Sequence, residues 1–537
     1  MGQSPSARVA GDAGGAAPDL WLLVLAKVGI LRFLESRQRR EIQAQLRAPC
    51  GDSIPEGMIQ ELIERFVDTV RALHEDRIPR LRQLFEASGG YVLHVDGTCD
   101  EWSQVHLACL AALTGPEPIM LWSEKIESEN AVDVRAVLHE VTTRFGRPAA
   151  AVQDLSAPIR NALLEEWPGL PIFYCHWHFL ADVGKDLLGE HYQRLRTRLR
   201  ETQARPKLRQ SLKRIDKELG GQRAAARSIC ERLEDPDLLK HNARSLKAAA
   251  IAGGMTEWIL AAPAAATGQG FPFDLPHLTF YGRARQAAQI LDRDILPKLT
   301  GHTPRGERLL YRLRGVLANL LRPASLQRTA RRLEDANQLF TRLRDALRLA
   351  TAGPTRRLNE DSSSAGAAEA REAEQAVTHL REQLRVERKS APSPDARKGI
   401  DIIITHLEKY WNGLFGHCLE LPDSDHRPFM VQRTNNISER FFRANKRFER
   451  RITGKTKLNR QVDALPGHAL LVFNLNNPDY VSQVCGSLEQ LPKAFTELAQ
   501  ESRLDRGAKK TGPALLNRES RRRPGSLTAV AAAFAGS

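Results

Sequence analysis

The chain has 537 residues, with 79 Lys and Arg against 64 Asp and Glu, a net charge of +15 and a pI near 9.7. That length holds more than one domain, and a hydrophobic share of 42% is that of an ordinary globular protein rather than a disordered or fibrous chain. The charge favours a polyanionic partner. Seven cysteines without a CxxC pair fit reduced thiols and an intracellular protein. The polar Met-Gly-Gln-Ser-Pro-Ser start does not read as a secretory signal, and the apolar run 20–34, broken by Lys27, Gly29 and Arg32, is too short to span a bilayer.

Residues 1–18, rich in Gly, Ala, Ser and Pro, read as disordered. Residues 19–88 read as helical. Gln38–Leu46 is one short helix, and Ser53-Ile-Pro-Glu56 is a capping box for a second, with Met58, Ile59, Leu62, Ile63 and Phe66 on one face. The order helix, turn, capped helix is compatible with a helix-turn-helix DNA reader and equally with a plain helical bundle. From Gly89 the pattern changes to strands at Tyr91–Val95, Val105–Leu113 and Pro118–Trp122. A helix over Ser128–Phe145, a strand at Ala149–Gln153, a helix over Ser156–Glu166 and a strand at Pro171–Cys175 follow. This is an α/β layer pattern covering 89–180. Residues 181–352 are almost wholly helical and dense in arginine, as at Arg194–Arg200 and Arg322–Arg332. Residues 353–400 read as a linker carrying one charged helix, 401–504 as a return to the α/β core, and 505–537 as a disordered basic tail.

Three carboxylates stand out. Asp96 ends the run Tyr-Val-Leu-His-Val-Asp and is followed by Gly97-Thr98; Asp154 ends Ala-Ala-Ala-Val-Gln-Asp; Glu439 lies in Arg-Thr-Asn-Asn-Ile-Ser-Glu-Arg-Phe-Phe-Arg, the start of a basic helix. A lone aspartate at a strand end is more often a turn cap than a ligand, and a lone glutamate on a helix is more often a surface charge. Two strand-end aspartates with one helical glutamate are the oxygen ligands a two-metal phosphoryl-transfer site requires. Asp100, Glu101 and Glu449 are weaker competitors.

These segments, together with Val-Asp-Gly-Thr, Gln-Asp-Leu-Ser-Ala-Pro-Ile-Arg-Asn-Ala and Cys-His-Trp-His-Phe, resemble the DDE transposases that have a ribonuclease H-like core and a helical insertion. Mutator-like and hAT elements and several bacterial insertion-sequence families share this plan. The resemblance covers about 89–180 and 402–480. It implies an α/β ribonuclease H-like core, a mixed sheet whose first three strands form an antiparallel meander, interrupted by a large all-α insertion and preceded by a helical N-terminal domain. It carries the catalytic and metal-ligand roles onto Asp96, Asp154 and Glu439, with two Mg²⁺ (or Mn²⁺) ions. The 58 residues from Asp96 to Asp154 (154 − 96) hold a meander and a helix, and the long gap to Glu439 holds the insertion.

The same resemblance matches Cys175 and His178 to a Cys-x-x-His pair that buttresses the sheet end; a packing role for Cys175 stands beside that reading. Asn436, Arg440, Arg443, Lys446, Arg447 and Arg450 would form a DNA-gripping face of the glutamate helix; a solvated charge face is the alternative. In hAT-type relatives an insertion-domain tryptophan stacks on an extruded base; no local motif maps Trp258 onto it, and Trp258 reads better as core. The zinc ribbon common in related bacterial transposases is not evident, so either end recognition falls to the helices 19–86 or the N-terminus has been shortened. The implied function is cleavage and joining of DNA at terminal inverted repeats and target, by a homo-oligomer that is cytoplasmic, bacterial and nucleoid-associated, with no membrane partner. The rival readings are a catalytically inactive, domesticated DNA-binding protein and a ribonuclease H-like nuclease.

Overall fold

The computed structural model describes residues 20–46, 54–98, 104–112, 118–219, 224, 226–228, 248–265, 269–298, 304–349, 364–419, 429–455 and 466–508. The chain divides into two compact units: one runs to Cys175 and resumes at Gly416, taking in the short piece Asn359–Ala367, and the other lies between His176 and Phe415.

The first unit is built on a five-stranded mixed sheet. Its strands are β1 (Val92–Thr98), β2 (Val105–Ala112), β3 (Ile119–Ile126), β4 (Ala150–Gln153) and β5 (Ile172–Tyr174). The order is β3-β2-β1-β4-β5. β1–β2 and β2–β3 pair antiparallel, β1–β4 and β4–β5 parallel. The alternation expected of strands sorts the side chains into two cores. Leu93, Val95, Leu107, Cys109, Ala111, Leu121 and Ala151 join one apolar cluster with the helices α5 (Ala131–Phe145) and α6 (Ala157–Glu166). Val92, Ala108, Leu110, Met120, Ala150 and Val152 join a second, on the opposite face, with Ile437 and Phe442. Asn130 caps α5, accepting from Asp133 N–H at 2.9 Å, and Ser156 caps α6.

The helices α1 (Leu20–Gly29, continued by a π turn Ile30–Leu34), α2 (Arg39–Gln45), α3 (Glu56–Asp76) and α4 (Ile78–Ala87) have no core of their own. Leu25, Phe66, Val70 and Phe85 belong to the same cluster as the sheet. Residues 1–19 and 47–53, with Ser53 of the expected capping box, lie outside the described residues. Edge strand β3 is covered by the 3₁₀ segment Gly467–Asn476. There the Asn474 side chain takes the Met120 N–H at 2.7 Å and donates to the Met120 carbonyl at 2.8 Å, as a further strand would.

The second unit is helical. It comprises α7 (His176–Glu201), α8 (Ala204–Leu219), α9 (Ala248–Leu260), α10 (Pro276–Ile290), α11 (Pro304–Leu321), α12 (Ala324–Ala346), α13 (Ser364–Lys389) from Ala368 onward, and α14 (Pro394–Leu414). Along α7, Phe179, Leu180, Val183, Leu187, Leu188, Tyr192, Leu195 and Leu199 are buried, the stripe expected of one helix face. The charged helix expected within the linker is present as Ser364–Lys389, but it is packed, and a second helix starts at Pro394, inside the expected linker. Ala373, Val377, Leu380 and Leu384 are buried at helical spacing, and Arg342 on α12 holds Glu387 with two bonds of 2.9 and 2.7 Å. The helical unit therefore runs on to Phe415, past the expected boundary at 400. The expected disordered tail from 505 begins as the end of a helix, Leu491–Ala508; residues 509–537 lie outside the described residues. Among the described residues no helix is long and apolar enough to cross a membrane.

Candidate active site

The parallel pairing of β1 with β4 sets Val92, Leu93 and His94 against Ala150, Ala151 and Val152. That offset (152 − 94) is the 58 residues separating Asp96 from Asp154, so the register, carried two residues past its last pair, brings Asp154 opposite Asp96, on strands that run about 4.8 Å apart. Alternation puts both on the face of Val92 and Val152. Asp96 is buried and Asp154 half-buried. Asp154, one residue past the end of β4, accepts the Ser156 N–H at 3.0 Å, an Asx turn that fixes its carboxylate as the chain enters α6.

The helix α15 (Asn436–Thr453) packs against β1 on that same face. Its start is held by Asn435, which is fully buried. The Asn435 amide oxygen accepts from His94 Nδ1 at 2.9 Å and from Ser438 Oγ at 2.9 Å. Its amide nitrogen reaches the Val95 carbonyl at 3.4 Å, and its main-chain N–H donates to Cys175 Sγ at 3.1 Å. One side chain thus ties the glutamate helix to the two residues preceding Asp96. Burial brings the His94 pKa down to about 4, against the opposing bond from Asn435, so the ring is neutral at pH 7 and its Nδ1–H is the donor. At about 100° per residue, position 439 falls about 60° from Phe442, which is in the sheet-facing core. The side chains of Asn436, Glu439 and Arg440 lie outside the described residues.

Of the expected DNA-gripping residues, Arg443, Arg447 and Arg450 are exposed and Lys446 is half-buried. Glu449 is buried against Arg32 of the π turn; burial raises its pKa and the Arg32 charge lowers it. Its place is a structural one. Asp100 and Glu101 are outside the described residues.

Glu129 is not legible in the sequence as part of this region. The residue precedes α5, yet its carboxylate accepts from Ser156 Oγ and lies 3.1 Å from where a Cβ on Gly97 would stand. Burial, foremost, and the charge of Asp154 raise its pKa; the Ser156 bond opposes them. Glu129 thus links the turn after β4 to β1 next to Asp96. The one sequence cue is the pair of small residues, Gly97 and Ser156, that make room for it.

Cys175, the last residue before the chain enters the second unit, is buried and donates its main-chain N–H to the Gln153 carbonyl at 2.8 Å while receiving the Asn435 N–H at its sulfur. His178 lies in the first turn of α7, in the second unit, edge-on to Trp177 at 5.0 Å. Trp258 is core: it is buried on α9, with the Arg283 guanidinium 5.0 Å from its ring centroid and donating to its carbonyl at 2.7 Å.

Among the described residues no three His, Cys, Asp or Glu side chains form a group able to hold a metal ion. Asp96 and Asp154 supply two oxygen donors, and the crowding of Asp154 and Glu129 is a concentration of negative charge that a hard divalent cation relieves. The donor chemistry therefore fits Mg²⁺ or Mn²⁺ with one further carboxylate. No model of a known protein family matches this chain, and no curated protein matches it.

Proposed function

We propose that the first unit is a ribonuclease H-like catalytic core and that the chain is a DDE-type DNA transposase, with Asp96, Asp154 and Glu439 as its catalytic carboxylates. The observation that carries this reading is the parallel register of β1 with β4, which carried on by two residues brings Asp154, just past β4, opposite Asp96, on the face where Asn435 anchors the helix bearing Glu439. The sheet order, a three-strand antiparallel meander followed by two parallel strands, supports it.

Asp96, Asp154 and Glu439 would hold two Mg²⁺ or Mn²⁺ ions, which when bound lower the barrier to in-line displacement at phosphorus by activating the attacking hydroxyl and stabilising the leaving oxygen. The chain's own contribution is position and charge. The Asx turn fixes Asp154, and Asn435 fixes the entry of the glutamate helix. Cys175 supports the sheet end beside it. The exposed Arg443, Arg447 and Arg450, with Lys446, Asn436 and Arg440, would bind phosphates of the terminal repeats and target. A homo-oligomer acting on bacterial nucleoid DNA is part of the same proposal.

Product analysis tests it. Incubation with a pre-cut duplex end and a target plasmid in Mg²⁺ is expected to give joined strands, abolished in Asp154→Asn. Hydrolysis products alone, on DNA or on RNA–DNA hybrids, would point to a ribonuclease H-like nuclease instead. Binding without reaction in any divalent metal would point to a domesticated DNA-binding protein.

A further inference from the structure

Residues 192–217, the end of α7 and most of α8, carry ten Lys and Arg against two acids, Glu201 and Asp216. These two consecutive helices are part of the second unit. Arg196, Arg200 and Arg205 converge on His277 at the start of α10; burial first and then these three charges press the His277 pKa down to about 4. Among the described residues no carboxylate forms an ion pair with any of the three. Arg205 is partly satisfied by the Phe280 ring, 4.6 Å from its guanidinium; the remaining mutual repulsion of the three raises their energy, and a polyanion removes that cost.

The cluster borders an aromatic plate. Phe271 stacks on Tyr192, with ring centroids 5.1 Å apart and planes within 22°. Tyr192 in turn lies 5.5 Å from the His277 ring. Phe271 is 39% exposed, one of few large apolar side chains so placed among the described residues. Its loop is rigid by construction. Asp274 N–H donates to the Gly270 carbonyl at 2.7 Å, and the Gly270 N–H donates back to Asp274 Oδ2 at 2.9 Å. Pro272 fills the space left by Gly184, and Phe273 stacks on Trp177 at 5.3 Å. An exposed ring held this firmly loses no further entropy when a flat partner covers it.

We infer that Phe271 and Tyr192, flanked by Arg196, Arg200 and Arg205, form a binding site for single-stranded DNA, in which a base stacks on Phe271 and the arginines take the adjacent phosphates. Stacking on an aromatic face accepts any base, and the flanking cations supply the salt-dependent part of the affinity. The choice of DNA as the polyanion rests on the proposed function; the stacking-plus-phosphate chemistry does not.

The test is fluorescence anisotropy of the full-length protein with a labelled oligothymidylate of about 20 nucleotides, in EDTA so that no strand is cut. Phe271→Ala is expected to weaken binding about tenfold with an unchanged salt slope. Arg196→Ala with Arg200→Ala is expected to weaken it and to flatten the slope by about 0.7 for each phosphate that the arginines no longer neutralise. Phe271→Trp keeps a ring, is expected to bind as wild type, and its indole fluorescence is expected to be quenched by the oligonucleotide. Wild-type affinity in Phe271→Ala, absence of that quenching in Phe271→Trp, or equal competition by heparin would overturn the inference. Phe271-dependent binding by a protein that never cuts DNA would sink the transposase reading and leave this surface standing.

Discussion

Asn435→Ala is the sharpest probe of how the candidate site is assembled. The substitution removes two bonds of 2.9 Å, from His94 and Ser438, and a long one of 3.4 Å to the Val95 carbonyl. All the side chains involved are buried, and His94 and Ser438 are fully so. Two net bonds contribute about 1 kcal/mol each, and stranding the His94 Nδ1–H without water costs about 1–3 kcal/mol more, a total of about 3–5 kcal/mol. The cost falls locally, on the junction of β1 with α15. At about 1.4 kcal/mol per tenfold, backbone amides of 436–450 that exchange by local opening should lose protection by about a hundredfold or more, measured by hydrogen–deuterium exchange with mass spectrometry. Amides of the helical unit serve as the internal control. Asn435→Asp retains the acceptor oxygen and is expected to lose less. Protection within a few-fold of wild type in Asn435→Ala would show that this residue does not hold the helix to the strand.

Gly29→Ala places a methyl inside the Phe66 ring, and because Phe66 is fully buried the expected loss is about 1–3 kcal/mol, read as a lower urea midpoint. His74 and His106 have folded pKa values of about 4, lowered chiefly by burial from 6.5. The unfolded chain binds their protons first as pH falls, so their contribution is complete above about 6.5 and is lost down to about 4, at up to roughly 1.4 kcal/mol per pH unit for each. Urea midpoints for the first unit should therefore fall between pH 7 and 5, and a flat profile would contradict the burial assigned to these rings. Glu129→Gln keeps a partner for Ser156 while removing repulsion with Asp154, so its melting temperature should stay within a degree or two of wild type, whereas Glu129→Ala should lower it.

The strands of the first unit are legible because burial on both faces leaves short apolar runs between turn residues, and Asp96 and Asp154 are legible as the polar residues ending two of them. What the sequence hides is pairing at a distance. Nothing local tells that Asn435 bonds to His94, or that Glu129 reaches Ser156 across a 15-residue helix. The charged helix within 353–400 is legible, but its charges mask the stripe Ala373, Val377, Leu380, Leu384 that packs it into the helical unit rather than leaving it in a linker. The N-terminal helices look like a separate module because helical periodicity says which face is buried but not against what; here it is the sheet.

The most direct measurement is nicking of supercoiled plasmid DNA by the full-length protein in Mg²⁺, compared with Asp96→Asn and with EDTA. The account predicts metal-dependent nicking by the wild type and a loss of about a hundredfold or more in Asp96→Asn, with the variant's melting temperature little changed. Nicking that survives the substitution, or that ignores the chelator, would contradict the assignment of this pair of aspartates as the catalytic centre.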